Sequence, residues 1–451
     1  MVGCAPFQIY RPLLDTCGAP DELSLNVQCS QHAVEVLQPI LPAKPGYALG
    51  FIEFDDQGQL WSPPQMAAVL GAVNTETGDG DRDFLLVAFV HGWKHDAGPK
   101  DSNVANFRLA LAQLSAAETA LSQKVGRPPR KVVGVYLGWR GESITAPLAE
   151  DLTFWDRKNT AHKVGHGQVT EVLERLEQLR QQRLERNPAS RSRLIVVGHS
   201  FGGAVVFSAL EQILEARFFE PPRSPAAPGV IEGFGNLVVL INPAFEAQLY
   251  EPLSDLSTER ASYAKSQLPV LAILTSEADK ATGVAFPIGR WFSTRFEKQR
   301  KVDRFNPIIE QLHPGAGSTE TIYQKDTDID AVGHYETYRT HLLRAVQPAA
   351  SATATVDVPQ LDTKALALAS QEWEDDRPGS EIAFPGTVLT RTERSAGRNP
   401  YLVINVDKKL IADHDDIWRP GIRDFITHLI LISSQSNDLQ ERASHREAAA
   451  N

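Results

Sequence analysis

The chain has 451 residues, 42% of them hydrophobic and 22% charged, with a net charge of −11. That is the make-up of an ordinary soluble globular protein, long enough for one large domain with insertions or for two domains. The acidic balance, with no basic stripe, argues against nucleic acid or an anionic membrane as the main partner, and no apolar run approaches the roughly 20 residues that span a bilayer.

In chain order, residues 1–45 carry scattered prolines and little periodicity, and read as an N-terminal extension. YALGFIEFDDQGQLW (Tyr47–Trp61) predicts two strands around a DDQG turn. Apolar strands then recur at Phe84–Val90, Val132–Leu137, Leu194–Val197, Leu237–Ile241, Val270–Leu274 and Tyr401–Val406. Helical patterns separate them: Val104–Leu114, the stripe Val169, Val172, Leu173, Leu176 and Leu179, Gly203–Leu214, and Ile422–Ile432. Continuous apolar strands alternating with helices predict an α/β fold with a mostly parallel sheet covered on both faces, here over residues 46–432. Two segments break the pattern. Residues 281–344, mixed in charged and aromatic side chains, are a candidate cap. Residues 346–399, with ASATATVDVP and EDDRPG, read as a surface insertion or a partly disordered linker, and the polar tail 433–451 should fray.

Leu194–Val206 reads LIVVGHSFGGAVV, a serine between two glycines where a strand meets a helix. A chain that passes from strand to helix without a loop must turn sharply, and side chains at 198 and 202 would clash. Glycines there let Ser200 occupy a strained turn with its hydroxyl exposed, as in the G-x-S-x-G nucleophile elbow. A second feature is His91-Gly92-Trp93, directly after the strand FLLVAFV.

The strand order together with VGHSFGG and FVHGWKH resembles the α/β-hydrolase superfamily of serine esterases, from about Tyr47 to Ile432 with the insertions set aside. The resemblance implies Ser200 as nucleophile, then an acid, then a histidine, in that chain order. It implies backbone N–H groups of Phe201 and Trp93 as an oxyanion hole, the second from the loop that holds His91 and Gly92. The acid falls in VLAILTSEADKATG, where Asp279 matches the family position and Glu277 is the alternative. Two histidines compete as base. His414 lies between the strand Tyr401–Val406 and the last helix, where the family keeps its histidine. His334 lies 55 residues beyond Asp279 but follows the polar DTDID, which cannot be a buried parallel strand, so its alternative place is lining the pocket. Trp139, in GVYLGWRGES, is either a pocket wall or core.

Cys4, Cys17 and Cys29 are the three cysteines. MVGC resembles the end of a bacterial lipoprotein signal, which would make Cys4 a lipid anchor, imply export and leave Cys17 and Cys29 to pair; the alternative is three thiols in a cytoplasmic protein. No cofactor or metal is expected: DTDID has Ala331 and Thr337 where a calcium loop needs Gly and Glu, and no phosphate-binding glycine loop occurs. The expected activity is cleavage of a small-molecule or lipid-like carboxylic ester through an acyl-enzyme. The rivals are thioester cleavage or acyl transfer at the same site, and a non-catalytic binding protein that keeps only the elbow. The sequence leaves the oligomeric state open.

Overall fold

The structure is a computed structural model that describes residues 8–38, 46–80, 82–141, 150–220, 229–294, 297–315, 317–346, 373, 377 and 379–433. It is α/β, with mostly parallel strands and helices, and divides into two compact units, one ending at Leu210 and the other beginning at Glu211. Cys4 and the tail beyond residue 433 lie outside the described residues.

The first unit holds β1 (Leu13–Ala19), β2 (His32–Leu37), β3 (Ala48–Glu53), β4 (Phe84–Val90), β5 (Lys131–Gly138) and β6 (Arg193–His199). They lie in the order β1-β2-β3-β5-β4-β6, parallel at every junction except β2 with β3. Strands β3, β4 and β6 are buried along their whole length, as their unbroken apolar runs require. The helices are α1 (Glu22–Gln28), α2 (Pro63–Glu76), α3 (Ser102–Val125), α4 (Glu150–Val164), α5 (Thr170–Arg186) and α6 (Phe201–Phe219). The carboxylate of Asp101 caps α3 by accepting from Asn103 N–H, and Gly126 ends it in the left-handed conformation.

The stretch read as an N-terminal extension instead supplies β1, α1 and β2. Glu35 of β2 is fully buried and holds Arg11 at 2.7 Å and Arg108 of α3 at 2.6 Å. Arg11 also donates to Ala97 O and lies 3.9 Å over the Phe51 ring. These contacts join residues far apart in sequence, so they leave no periodicity to read. Of the two strands expected over Tyr47–Trp61 only β3 forms; Phe54 and Leu60 make an isolated bridge around the turn at Gly58.

The second unit holds β7 (Leu237–Ile241), β8 (Leu271–Ser276), β9 (Lys301–Phe305), β10 (Thr319–Tyr323), β11 (His341–Ala345), β12 (Glu381–Phe384), β13 (Thr387–Arg391) and β14 (Tyr401–Val406). Strands β7, β8, β14 and β11 are parallel neighbours, and β13 and β12 follow antiparallel. The end of the segment read as a surface insertion is therefore part of the sheet. Its strands are short and buried only at alternate residues, which is why they carry no strong apolar signal. The candidate cap region contains α8 (Phe286–Thr294), the β9–β10 hairpin, α9 (Pro307–Leu312) and α10 (Gln324–Ile329), the last of which includes most of DTDID; α7 (Ala247–Glu259) precedes them and α11 (Pro420–Ser433) closes the unit. No helix among the described residues is long and apolar enough to cross a membrane.

Cys17 and Cys29 form a disulfide with Cα atoms 5.5 Å apart, tying β1 to the residue that ends α1. Closing this short loop in the unfolded chain should contribute about 3 kcal/mol. Alkylation without reductant should leave both thiols unlabelled, and Cys17→Ser should lower the urea midpoint of the first unit; two free thiols would refute the bridge.

Candidate active site

Ser200 follows β6 and precedes α6, with φ 55°, a left-handed backbone that few non-glycine residues adopt. Holding serine there costs on the order of 1–3 kcal/mol, so the surrounding contacts must impose it. They come from the end of β4. A Cβ on Gly202 would lie 2.2 Å from Val90 O and 2.5 Å from His91 O. A Cβ on Gly92 would lie 2.8 Å from Ser200 Cβ. Only glycine fits either place, because two backbones pass in direct contact. The carbonyl of Ser200 accepts Gly203 and Ala204 N–H, so the serine caps α6, whose N-terminal dipole favours negative charge.

His91 holds the adjoining loop. Its Nε2 accepts the backbone N–H of Trp139 at 3.1 Å, which puts the ring proton on Nδ1, and Nδ1–H donates to Gly92 O at 2.9 Å. Trp139 returns the contact through its indole N–H to His91 O at 3.0 Å, and the two rings stack 5.7 Å apart. Trp139 is thus packed in the interior and braces the loop. Burial pushes the His91 pKa down to about 4, so the ring is neutral at pH 7. Trp93 is half-buried, with the Lys94 ammonium 4.4 Å over its ring. Phe201 is the first residue of α6 and is buried.

In the second unit, Asp279 and His414 come from the loops after β8 and β14, which are parallel neighbours with Ser276 opposite Val406. His414 Nδ1 lies 2.9 Å from Asp279 Oδ1. The same carboxylate accepts the Thr282 N–H at 3.1 Å and the Thr282 hydroxyl. Burial raises the Asp279 pKa, but the bond and charge of His414 and the two bonds from Thr282 outweigh it and leave the carboxyl below its ordinary value. For His414, burial lowers the pKa, while Asp279 and then Asp415 and Asp413 raise it; the net direction is up. Glu277, the alternative acid, instead faces Arg344 at 3.0 Å. His334 Nε2 lies 2.9 Å from Thr282 Oγ1, whose hydroxyl bonds to Asp279.

No family model, curated protein or solved structure matches the chain.

Three buried polar residues that local sequence reasoning missed hold the acid and the histidine loop. Asn242, with φ 45° just after β7, donates through Nδ2 to His414 O at 2.9 Å and accepts Ser276 N–H at 3.0 Å. Ser276 donates its hydroxyl to Ile411 O at 2.7 Å, and Thr282 is the third. The one local signal was a polar residue at a strand end, as in LVVLINP and LAILTSEAD. Within each unit taken alone, no three His, Cys, Asp or Glu side chains among the described residues converge to share a metal ion.

The two histidines should separate in an NMR titration. His414 should titrate with a midpoint above 6.5, while His91 should stay unprotonated from pH 8 down to pH 5. Because the His91 pKa is depressed in the folded state, its neutral burial costs stability as pH falls from about 6.5 toward 4. His91→Ala strands the Trp139 N–H and opens a cavity, and should cost about 2–4 kcal/mol in urea unfolding. A titration of His91 near pH 6.5 would contradict the arrangement.

Proposed function

We propose that the protein is a serine hydrolase that cleaves carboxylic esters through an acyl-enzyme. The observation that carries the reading is Ser200: a serine in a left-handed turn between β6 and α6, with the Gly92 loop packed against its Cβ. Support comes from the His414–Asp279 hydrogen bond, which leaves His414 Nε2 as the ring nitrogen able to take a proton.

In this reading the Ser200 Oγ attacks the ester carbonyl carbon and gives its proton to His414 Nε2. The carbonyl oxygen becomes an oxyanion, for which the backbone N–H groups of Phe201 and Trp93 are the assigned donors. Collapse breaks the bond to the alcohol oxygen, which leaves with the proton from His414. Water then attacks the acyl-enzyme as His414 takes its proton, and the carboxylic acid departs as Ser200 recovers a proton. Asp279 stays ionised and orients the imidazole through Nδ1. The substrate class is a small-molecule or lipid-like ester.

A fluorophosphonate probe should label Ser200 and nothing else in the wild-type protein. Ser200→Ala should reduce p-nitrophenyl ester turnover by roughly 10,000-fold or more, and adding His414→Ala should cause little further loss, because residues that act as one unit are not additive. Absence of labelling would favour a non-catalytic binding protein; labelling with turnover only of thioesters, or only with an added acyl acceptor, would favour the related acyl chemistries.

The rate should also depend on pH. His414 must be neutral to accept the proton, so kcat/KM should fall on the acid side with a midpoint above 6.5. Asp415→Asn removes a charge that raises that pKa and should move the midpoint down, more visibly at low salt. A midpoint below 6.5, or one that moves up in Asp415→Asn, would contradict His414 as the base.

A further inference from the structure

Asp279 has two carboxylate oxygens, and their partners differ. Oδ1 accepts His414 Nδ1–H and Thr282 N–H; Oδ2 accepts the Thr282 hydroxyl. A hydroxyl has a single proton, and an ionised carboxylate can only accept, so that proton points to Oδ2. The Thr282 oxygen must then accept from its other neighbour, His334 Nε2, at 2.9 Å. The contact therefore fixes the proton of His334 on Nε2.

His334 is held for this contact from several directions. Arg339 donates to the His334 carbonyl, and His334 N–H donates to Ala331 O. The preceding residue, Gly333, crosses β8 so closely that a Cβ there would lie 1.8 Å from Thr275 Oγ1. The imidazole lies against the backbone of Gly283, 3.0 Å from where a Cβ would sit. Thr282 itself is buried at 1% exposure, so water does not compete for its hydroxyl.

We propose that His334 is a positioning residue for the acid: its Nε2–H, acting through the Thr282 hydroxyl, anchors Asp279 Oδ2 and so fixes the carboxylate plane that presents Oδ1 to His414. A carboxylate free to turn about its terminal torsion would share the His414 proton less directionally. The hydroxyl relays the constraint over 52 residues of sequence. The assignment rests on the serine hydrolase reading for its effect on rate, but not for its effect on the His414–Asp279 bond.

The test uses the full chain with His334→Phe, which keeps a ring and removes the donor, His334→Gln, which restores an N–H donor, and Thr282→Val. His334→Phe and Thr282→Val should each lower kcat for p-nitrophenyl esters about tenfold, below the roughly 100-fold that a 1 Å misplacement can cost, with KM within twofold. The double variant should be no worse than either single one, and His334→Gln should recover most of the rate. Independently of turnover, the downfield proton resonance of His414 Nδ1–H should shift or broaden in His334→Phe and in Thr282→Val, and vanish in Asp279→Asn. An unchanged kcat would overturn the proposal. So would a raised KM with multiplicative effects, the mark of a pocket wall, or a loss that His334→Gln shares in step with lower thermal stability. A wild-type protein that neither takes the probe nor turns over an ester would sink the hydrolase reading, and the resonance alone would then decide whether His334 holds the pair.

Discussion

The carbonyl oxygens of Val90 and His91 stand where any side chain at 202 would have to go, and the Gly92 backbone stands where its own side chain would strike Ser200. This contact between the end of β4 and the β6–α6 turn is the constraint on which the first unit's site depends. It follows from β4 and β6 being parallel neighbours, with Val90 opposite Gly198. Parallel neighbours end at the same level, so the loop leaving one must cross the turn leaving the other. Glycine at 92 and 202 lets them cross in contact, and the serine between is left in a left-handed backbone that no isolated peptide would favour. The burial of the flanking apolar strands supplies the free energy that holds it there.

Two histidines, His91 of the first unit and His414 of the second, show how environment shifts one kind of side chain in opposite directions. Both are largely removed from water, and burial alone would lower both pKa values. His91 meets a carbonyl and a peptide N–H, groups that a neutral ring satisfies, so burial prevails and the ring stays uncharged. Such a ring is a fixed brace. His414 meets an ionised carboxylate, with Asp413 and Asp415 nearby, and their attraction outweighs burial. Its pKa therefore moves up where that of His91 moves down. The difference lies in one partner, Asp279, and in what holds that partner still.

How much of this was legible in the sequence follows the range of the contacts. The apolar strands β4 to β8 and β14 and the elbow glycines could be read because each carries its cause within a few residues: apolar runs, then a turn. Strands β1 and β2 could not, because what fixes them is the Arg11–Glu35–Arg108 cluster and a disulfide, whose members are scattered over nearly 100 residues. Strands β12 and β13 were hidden in a polar segment, since a short antiparallel edge strand needs only every second residue apolar. His334 could be noticed but not placed. The sequence shows that it follows the polar DTDID, which cannot be a buried parallel strand; only the fold shows that Thr282 stands between it and Asp279.

The 135 residues between Asp279 and His414 look like an obstacle to pairing the two, and the topology of the second unit removes it. The acid lies three residues past Ser276 and the histidine eight past Val406, and those two residues are register partners on adjacent parallel strands. Glu277 N–H bonds to Val406 O, so the two strand ends are stitched together before either loop begins. Whatever the chain does in between therefore has to return only to a fixed point on the sheet. Lengthening such an excursion costs little, about 0.6 kcal/mol for each doubling of a flexible loop. Part of the excursion is not loop at all: β11, β13 and β12 extend the sheet beyond β14 and bury residues of their own. The two strand ends that place the pair are thus set by β8, β14 and the Asn242 clamp, and the long segment can carry other elements, with His334 returning to the pair through Thr282.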